Sequence, residues 1–324
     1  MSGPPLFIVA CDRSGTTMLR LILDRGPDLA IPTESVILVD FANVRARYCR
    51  LAGDVEFDRL VRDVWRHPKV RAWGLTSDPP GRDGLIGEAA YRRAIESPFA
   101  AYAAEHGKPR WGDKTPLYVQ HLDEVLRVFP DSRIVVLVRD GRDVALSLKA
   151  VPFGPGNIWG AARMWRSAVE AGERAAATWP ESVLTVRYED LVEAPEQVTR
   201  EVCGFAGIAY SPAMLAIEET PAGRVTAGQE AWFPRISQGI SRESVGRWRR
   251  EMPRDRVALF QAEAGDALVR HGYPLDDAGP PPRIPAAVYA AHNWAVKGWQ
   301  FGRLHIVQER GREVPQIIRR HLRR

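Results

Sequence analysis

The chain has 324 residues, 45% of them apolar, enough to fill one large α/β core or two ordinary domains. Lys and Arg outnumber Asp and Glu by 45 to 40, for a net charge of +5, an excess that favours small anionic ligands and is too slight to point to nucleic acid. Cys11, Cys49 and Cys203 are far apart with no CxxC pair, which argues against a disulfide framework or zinc site and for a cytoplasmic setting. No signal-type N-terminus and no run of roughly 20 apolar residues is evident.

Leu6–Ala10 (LFIVA) is predicted to be a buried parallel strand. Asp12-Arg13-Ser14-Gly15-Thr16-Thr17 follows, and then a largely buried helix over Thr16–Asp24, stopped by Gly26-Pro27. A turn between strand and helix directs backbone N–H groups and the helix dipole at an anion. Ser14, Thr16 and Thr17 add hydroxyls, Gly15 allows close approach, and Arg13 brings a forked cation. The same residues also suit a plain helix cap, and the preceding strand favours the phosphate cradle. A Walker A loop is excluded because this turn holds no Gly-Lys pair.

Residues 36–110 show no strand and read as a helical insert, with helical patterns around Val36–Leu51 and Tyr91–Glu105. Lys114, in WGDKTP, sits in a segment that reads as a loop. Arg133–Val138 (RIVVLV) is a second buried strand, after which Asp140 and Asp143 suit the cap and first turn of another helix. Arg139 at the strand end and Ser147 eight residues later have a spacing that converges on one anion, although Arg139 alone reads equally as salt-bridged structure. Val183–Val186 (VLTV) is a third strand, with Tyr188 just beyond it. Residues 220–245 have loop composition and 284–324 look helical and basic. Strands alternating with helices predict a doubly wound parallel sheet with its ligand at the strand carboxyl ends.

The run CDRSGTTMLRLILDRGPDLAIPTES, together with RIVVLVRDGRDVALS, resembles the superfamily of sulfotransferases that use 3′-phosphoadenosine-5′-phosphosulfate (PAPS). The likeness is nearest to its tyrosylprotein-sulfotransferase-like and bacterial branch. The resemblance implies a P-loop-type three-layer αβα fold with a central parallel sheet. It implies that Arg13, Ser14, Gly15, Thr16 and Thr17 hold the 5′-phosphosulfate and that Arg139 and Ser147 bind the 3′-phosphate. Tyr188 would border the adenine pocket, and GISRESVGRWRREM would close over the nucleotide through Ser241, Arg247 and Arg242. Glu34 matches the position of that branch's catalytic base, against the alternative that it partners the N-cap of a helix starting near Thr33. Asp113 and His121 are reserve bases. Lys114 matches a lysine that points into the site, so Arg13 and Lys114 would stabilise the leaving oxygen without a metal.

The expected reaction carries a sulfuryl group from PAPS to a hydroxyl and releases PAP. The acceptor is left open among a small molecule, a lipid, a carbohydrate and a protein tyrosine. The rivals are an ATP- and magnesium-dependent phosphotransferase and a noncatalytic nucleotide or polyanion binder. Residues 1–283 are expected to form the α/β domain, with 36–110 shaping the acceptor site. Residues 284–324 form a basic extension that suits a solvated face or a homo-oligomer contact.

Overall fold

In a computed structural model, which describes residues 3–42, 45, 48, 54–151, 153–219 and 239–296, the apolar run Leu6–Ala10 forms strand β1 with every side chain buried. That is the pattern of a strand covered on both faces. It lies at the centre of a five-stranded sheet. The other strands are β2 (Leu29–Ala30), β3 (Arg110–Lys114), β4 (Arg133–Val138) and β5 (Val183–Arg187), in the order β2-β3-β1-β4-β5. Every neighbouring pair is parallel, so all the carboxyl ends share one edge. Ile8 of β1 lies opposite both Lys114 and Val135.

Two compact units are present: residues up to Asp140 with Ser167–Val245, and Gly141–Arg166 with the residues from Gly246 on. In chain order the helices are α1 (Thr16–Asp24), α2 (Ile37–Ala42), α3 (Asp54–Trp65), α4 (Pro68–Arg71), α5 (Gly87–Glu105) and α6 (Leu122–Val128). They continue with α7 (Gly141–Lys149), α8 (Ile158–Thr178), α9 (Tyr188–Glu193), α10 (Pro195–Ala206), α11 (Trp248–Glu251) and α12 (Arg254–Arg270). Residues 286–296 are also helical. Among the described residues of 36–110 lie α2–α5, with β3 beginning at Arg110. The arginine-rich end of the chain, Cys49 and most of the 220–245 segment lie outside the described residues.

Alternation along β1 builds the three layers of the first unit. Leu6, Ile8 and Ala10 pack with Leu19, Leu21 and Ile22 of α1, Leu137 of β4 and Val202 of α10. Phe7 points the other way, edge-on to Trp111 at 5.8 Å and tilted against Phe129 at 5.7 Å. Trp111 in turn stacks on Phe99 of α5 at 4.7 Å. Offset and edge-on pairs of this kind add to the area buried.

The second unit has its own core, in which Trp165 packs on Phe260 at 5.9 Å. The buried Arg142 guanidinium lies 3.7 Å from the Trp248 ring centroid and donates to Gln261 Oε1. Asp143, expected as a first-turn acid, accepts from the Gly246 and Trp248 N–H groups at 2.7 and 2.9 Å. No helix among the described residues is long and apolar enough to cross a membrane.

The loop expected at WGDKTP is corrected: Arg110–Lys114 is a strand, buried throughout. Its charges hid it from a hydrophobic pattern, yet each is bonded. Arg110 donates to the Ala206 and Gly207 carbonyls at 2.9 Å, Asp113 accepts from Ser35 and Thr115, and Lys114 pairs with Glu34. Gly112 lies where a Cβ would come within 2.8 Å of the Leu6 carbonyl oxygen and 3.1 Å of Ile31. Gly112→Ala is expected to destabilise the protein by about 1–3 kcal/mol through overpacking, read as a lowered unfolding midpoint. An unchanged midpoint would show that the β1–β3 seam yields at no cost.

Candidate active site

The turn after β1 is shaped by two residues with positive φ. Gly15, at +98°, is the N-cap of α1 and makes no side-chain cap hydrogen bond. Arg13, at +72°, occupies a left-handed conformation that costs a non-glycine residue about 1–3 kcal/mol. Ser14, Thr16 and Thr17 are all buried. The Ser14 amide donates to the Cys11 carbonyl, while its hydroxyl oxygen is buried with no partner among the described residues. Thr16 and Thr17 open the helix, where amides have no intrahelical acceptor. The cap reading of SGTT therefore fails, and a buried orphan hydroxyl beside helix-opening amides has the chemistry of an anion cradle.

Tyr188, the first residue of α9, is buried against this turn. A Cβ on Gly15 would fall 2.4 Å from its ring, so only glycine fits beneath the tyrosine. The Arg139 guanidinium lies 4.5 Å from the same ring centroid, donates to the Arg13 carbonyl at 3.3 Å and to the Ser244 carbonyl at 2.5 Å. Burial, and then the charge of Arg139, lower the Arg13 pKa below its usual value. Like charge from Arg139 on Arg13, offset in part by Asp12 and Glu34, is an arrangement that suits an anion.

Glu34 lies in the irregular stretch between β2 and α2. Helix α2 starts only at Ile37, so Glu34 is not the partner of a cap at Thr33. Its Oε1 instead accepts from Lys114 Nζ at 2.5 Å, with the lysine side chain 5% exposed and the glutamate 33%. Burial raises the Glu34 pKa, but the charge and hydrogen bond of Lys114, helped by Lys69 and Arg20, outweigh it, and the net direction is down. Burial pulls Lys114 below its ordinary value in spite of Glu34.

Asp113 is fully buried, both its oxygens accept hydroxyl protons, and burial pushes it up to about 6. The ring of half-buried His121 forms no described hydrogen bond. Ser241 caps the short helical turn Arg242–Ser244 by accepting from the Glu243 amide, and Arg242 pairs with Glu193. Arg247 makes a two-pronged pair with Glu251 at 2.9 and 2.6 Å in the second unit. Ser147 is half-buried on α7 of that unit.

Two residues escaped the sequence reading. Asp12 is raised to about 6 by burial and by the Glu34 charge, so a second carboxyl that titrates near neutrality stands within reach of the pair's field. Arg20, 1% exposed, donates to the Ile31 carbonyl at 3.1 Å and acts electrostatically on both Glu34 and Lys114. An arginine inside the apolar run Met18–Leu23 was the available signal. Among the described residues no group of three His, Cys, Asp or Glu side chains is disposed to hold a metal ion.

A family model described as the sulfotransferase family matches residues 4–212, more than half of the chain. The chain belongs to the sulfotransferase family. This sulfotransferase-family chain is 25% identical over 284 residues to protein-tyrosine sulfotransferase 1 of Danio rerio, covering 83% of this chain and 72% of that one. It is also 25% identical over 281 residues to the protein-tyrosine sulfotransferase of Drosophila melanogaster, covering 83% of this chain and 52% of that protein. The solved sulfotransferase domain from the curacin biosynthetic pathway shares its fold, with a TM-score of 0.55 at 20% identity, over 85% of this chain and 99% of that one.

Glu34 has its folded-state pKa depressed, so the pair's contribution to stability is present above the ordinary value of 4.5 and fades as pH falls through the lowered one. Lys114→Met removes the main lowering influence and leaves burial. The Glu34 carboxyl is then expected to titrate above 4.5, read by carbon-13 NMR of the side chain. A Glu34 that stayed below 4.5 in this variant would contradict the pairing.

Proposed function

We propose that this chain transfers a sulfuryl group from PAPS to an acceptor hydroxyl and releases PAP. The observation that carries the reading is the turn after β1: an orphan buried hydroxyl on Ser14, helix-opening amides, and Arg13 crowded by Arg139. These residues suit a phosphosulfate. Arg13 and Ser14–Thr17 would hold it, and Arg139 would supply charge to the 3′-phosphate. Ser147, Ser241 and Arg247 keep the nucleotide-binding roles that the family resemblance gives them, and Tyr188 keeps the border of the adenine pocket.

When bound, PAPS supplies a sulfuryl group attached through a phosphate oxygen that leaves. In-line transfer forms the bond from acceptor oxygen to sulfur as the bond from sulfur to the leaving oxygen breaks. The protein's task is to position the reactants and stabilise charge. Arg13 and Lys114 provide cations for the departing electron pair. Glu34, held ionised beside Lys114, takes the acceptor's proton, and the neighbouring Asp12 offers a second carboxyl. A magnesium-dependent phosphotransferase would want a carboxylate at the strand end, where β4 presents Arg139. The Glu34–Lys114 pair near the carboxyl ends of the strands favours a catalytic over a merely binding role. The protein-tyrosine names of the relatives support a phenolic hydroxyl as acceptor.

PAP at about 100 times its dissociation constant is expected to stabilise the protein by roughly 2.7 kcal/mol without added metal. The shift should exceed that with ADP and be lost in Arg139→Ala. A thermal shift with magnesium and ATP but none with PAP would overturn the reading in favour of the phosphotransferase.

A further inference from the structure

Glu34 and Lys114 sit on very different supports. Lys114 ends a strand paired within the sheet, whereas Glu34 belongs to a stretch with no regular structure, residues 31–36. The residue two further on, Val36, has φ +55°, a left-handed conformation that a β-branched side chain resists. Something must hold this stretch if Glu34 is to stay on the ammonium.

The sequence neighbours of the pair provide it. Ser35 N–H donates to Thr115 Oγ1 at 3.3 Å, and Ser35 Oγ donates to Asp113 Oδ2 at 2.7 Å. Thr115 Oγ1 donates to Asp113 Oδ1 at 2.8 Å. Tyr118 OH accepts from the Leu38 amide at 3.0 Å, on the far side of Val36, and lies 3.0 Å from Ser35 Oγ. With the serine proton committed to Asp113, the tyrosine proton goes to Ser35. Ser35, Asp113 and Tyr118 have no exposed surface and Thr115 has 1%. In this enclosed network each hydroxyl has a partner, which is the condition under which buried polar groups fix one conformation.

We propose that Ser35, Asp113 and Tyr118 are positioning residues whose hydrogen-bonded chain clamps both sides of Val36 and so holds the Glu34 carboxylate on Lys114. This inference rests on the sulfuryl-transfer reading for its effect on turnover, and on the Glu34–Lys114 geometry alone for its effect on titration. The clamp acts through Glu34 and touches no substrate, so its loss is expected in kcat, with KM for PAPS unchanged.

The test compares Ser35→Ala, Ser35→Thr and Tyr118→Phe with the wild type in two readouts: carbon-13 NMR titration of Glu34, and transfer from PAPS. Ser35→Ala and Tyr118→Phe remove one hydroxyl each and leave the strand residue Asp113 in place, so both are expected to fold. They should raise the Glu34 pKa and lower kcat at least tenfold at constant KM. Ser35→Thr, which restores the hydroxyl, should recover both. Folded Ala and Phe variants with wild-type titration and kcat would overturn the clamp, as would equal losses in Ser35→Thr and Ser35→Ala. If the wild type itself transfers nothing from PAPS, the functional reading fails, while the titration still decides whether the clamp exists.

Discussion

A buried ammonium has to be paired, and that requirement organises the carboxyl edge of the sheet around Lys114. Lys114 reaches its position because β3 is an interior strand, and there desolvation penalises its charge. Removing one member of a buried pair leaves the other uncompensated, which costs far more than the pair contributes. Glu34 must therefore come to Lys114, although no helix or strand delivers it. The strained Val36 and the hydroxyl chain from Tyr118 through Ser35 to Asp113 follow from bringing an irregular segment to a point set by the sheet.

The turn after β1 follows a similar logic with like charges. Parallel pairing sends β1 and β4 out of the sheet side by side, so the turn carrying Arg13 and the strand end carrying Arg139 meet. Tyr188 after β5 keeps them in place, with its ring over Gly15 and beside the Arg139 guanidinium. The repulsion between the two arginines, the buried Ser14 hydroxyl and the strained Arg13 backbone are costs in the protein alone. On the proposed reading, a bound phosphosulfate would turn each of them into a favourable contact.

Much of this was legible in the residues. LFIVA and RIVVLV announced buried strands because uniform apolar runs are what a doubly covered sheet demands, whereas VLTV, read the same way, is an edge strand with Leu184 half-buried and Thr185 exposed. The turn residues Arg13 to Thr17 were legible because of the strand before them and the helix after. Strand β3 was hidden, since Arg110, Gly112, Asp113 and Lys114 satisfy no apolar pattern and are accommodated by partners distant in sequence. Tyr188 was visible as a candidate, but its fit over Gly15 spans more than 170 residues and depends on β5 lying beside β4. Asp12 and Arg20 went unremarked because their significance is electrostatic and appears only when four segments converge.

The most direct measurement of the central claim is transfer of labelled sulfur. Purified protein would be incubated with PAPS labelled in the sulfuryl group and a panel of phenolic, carbohydrate and aliphatic hydroxyl acceptors, in parallel with γ-labelled ATP and magnesium. The expected result is label from PAPS on at least one acceptor with stoichiometric PAP, lost in both Lys114→Met and Glu34→Gln. Label moving from ATP and never from PAPS, or PAPS transfer indifferent to both substitutions, would contradict the role assigned to the buried pair.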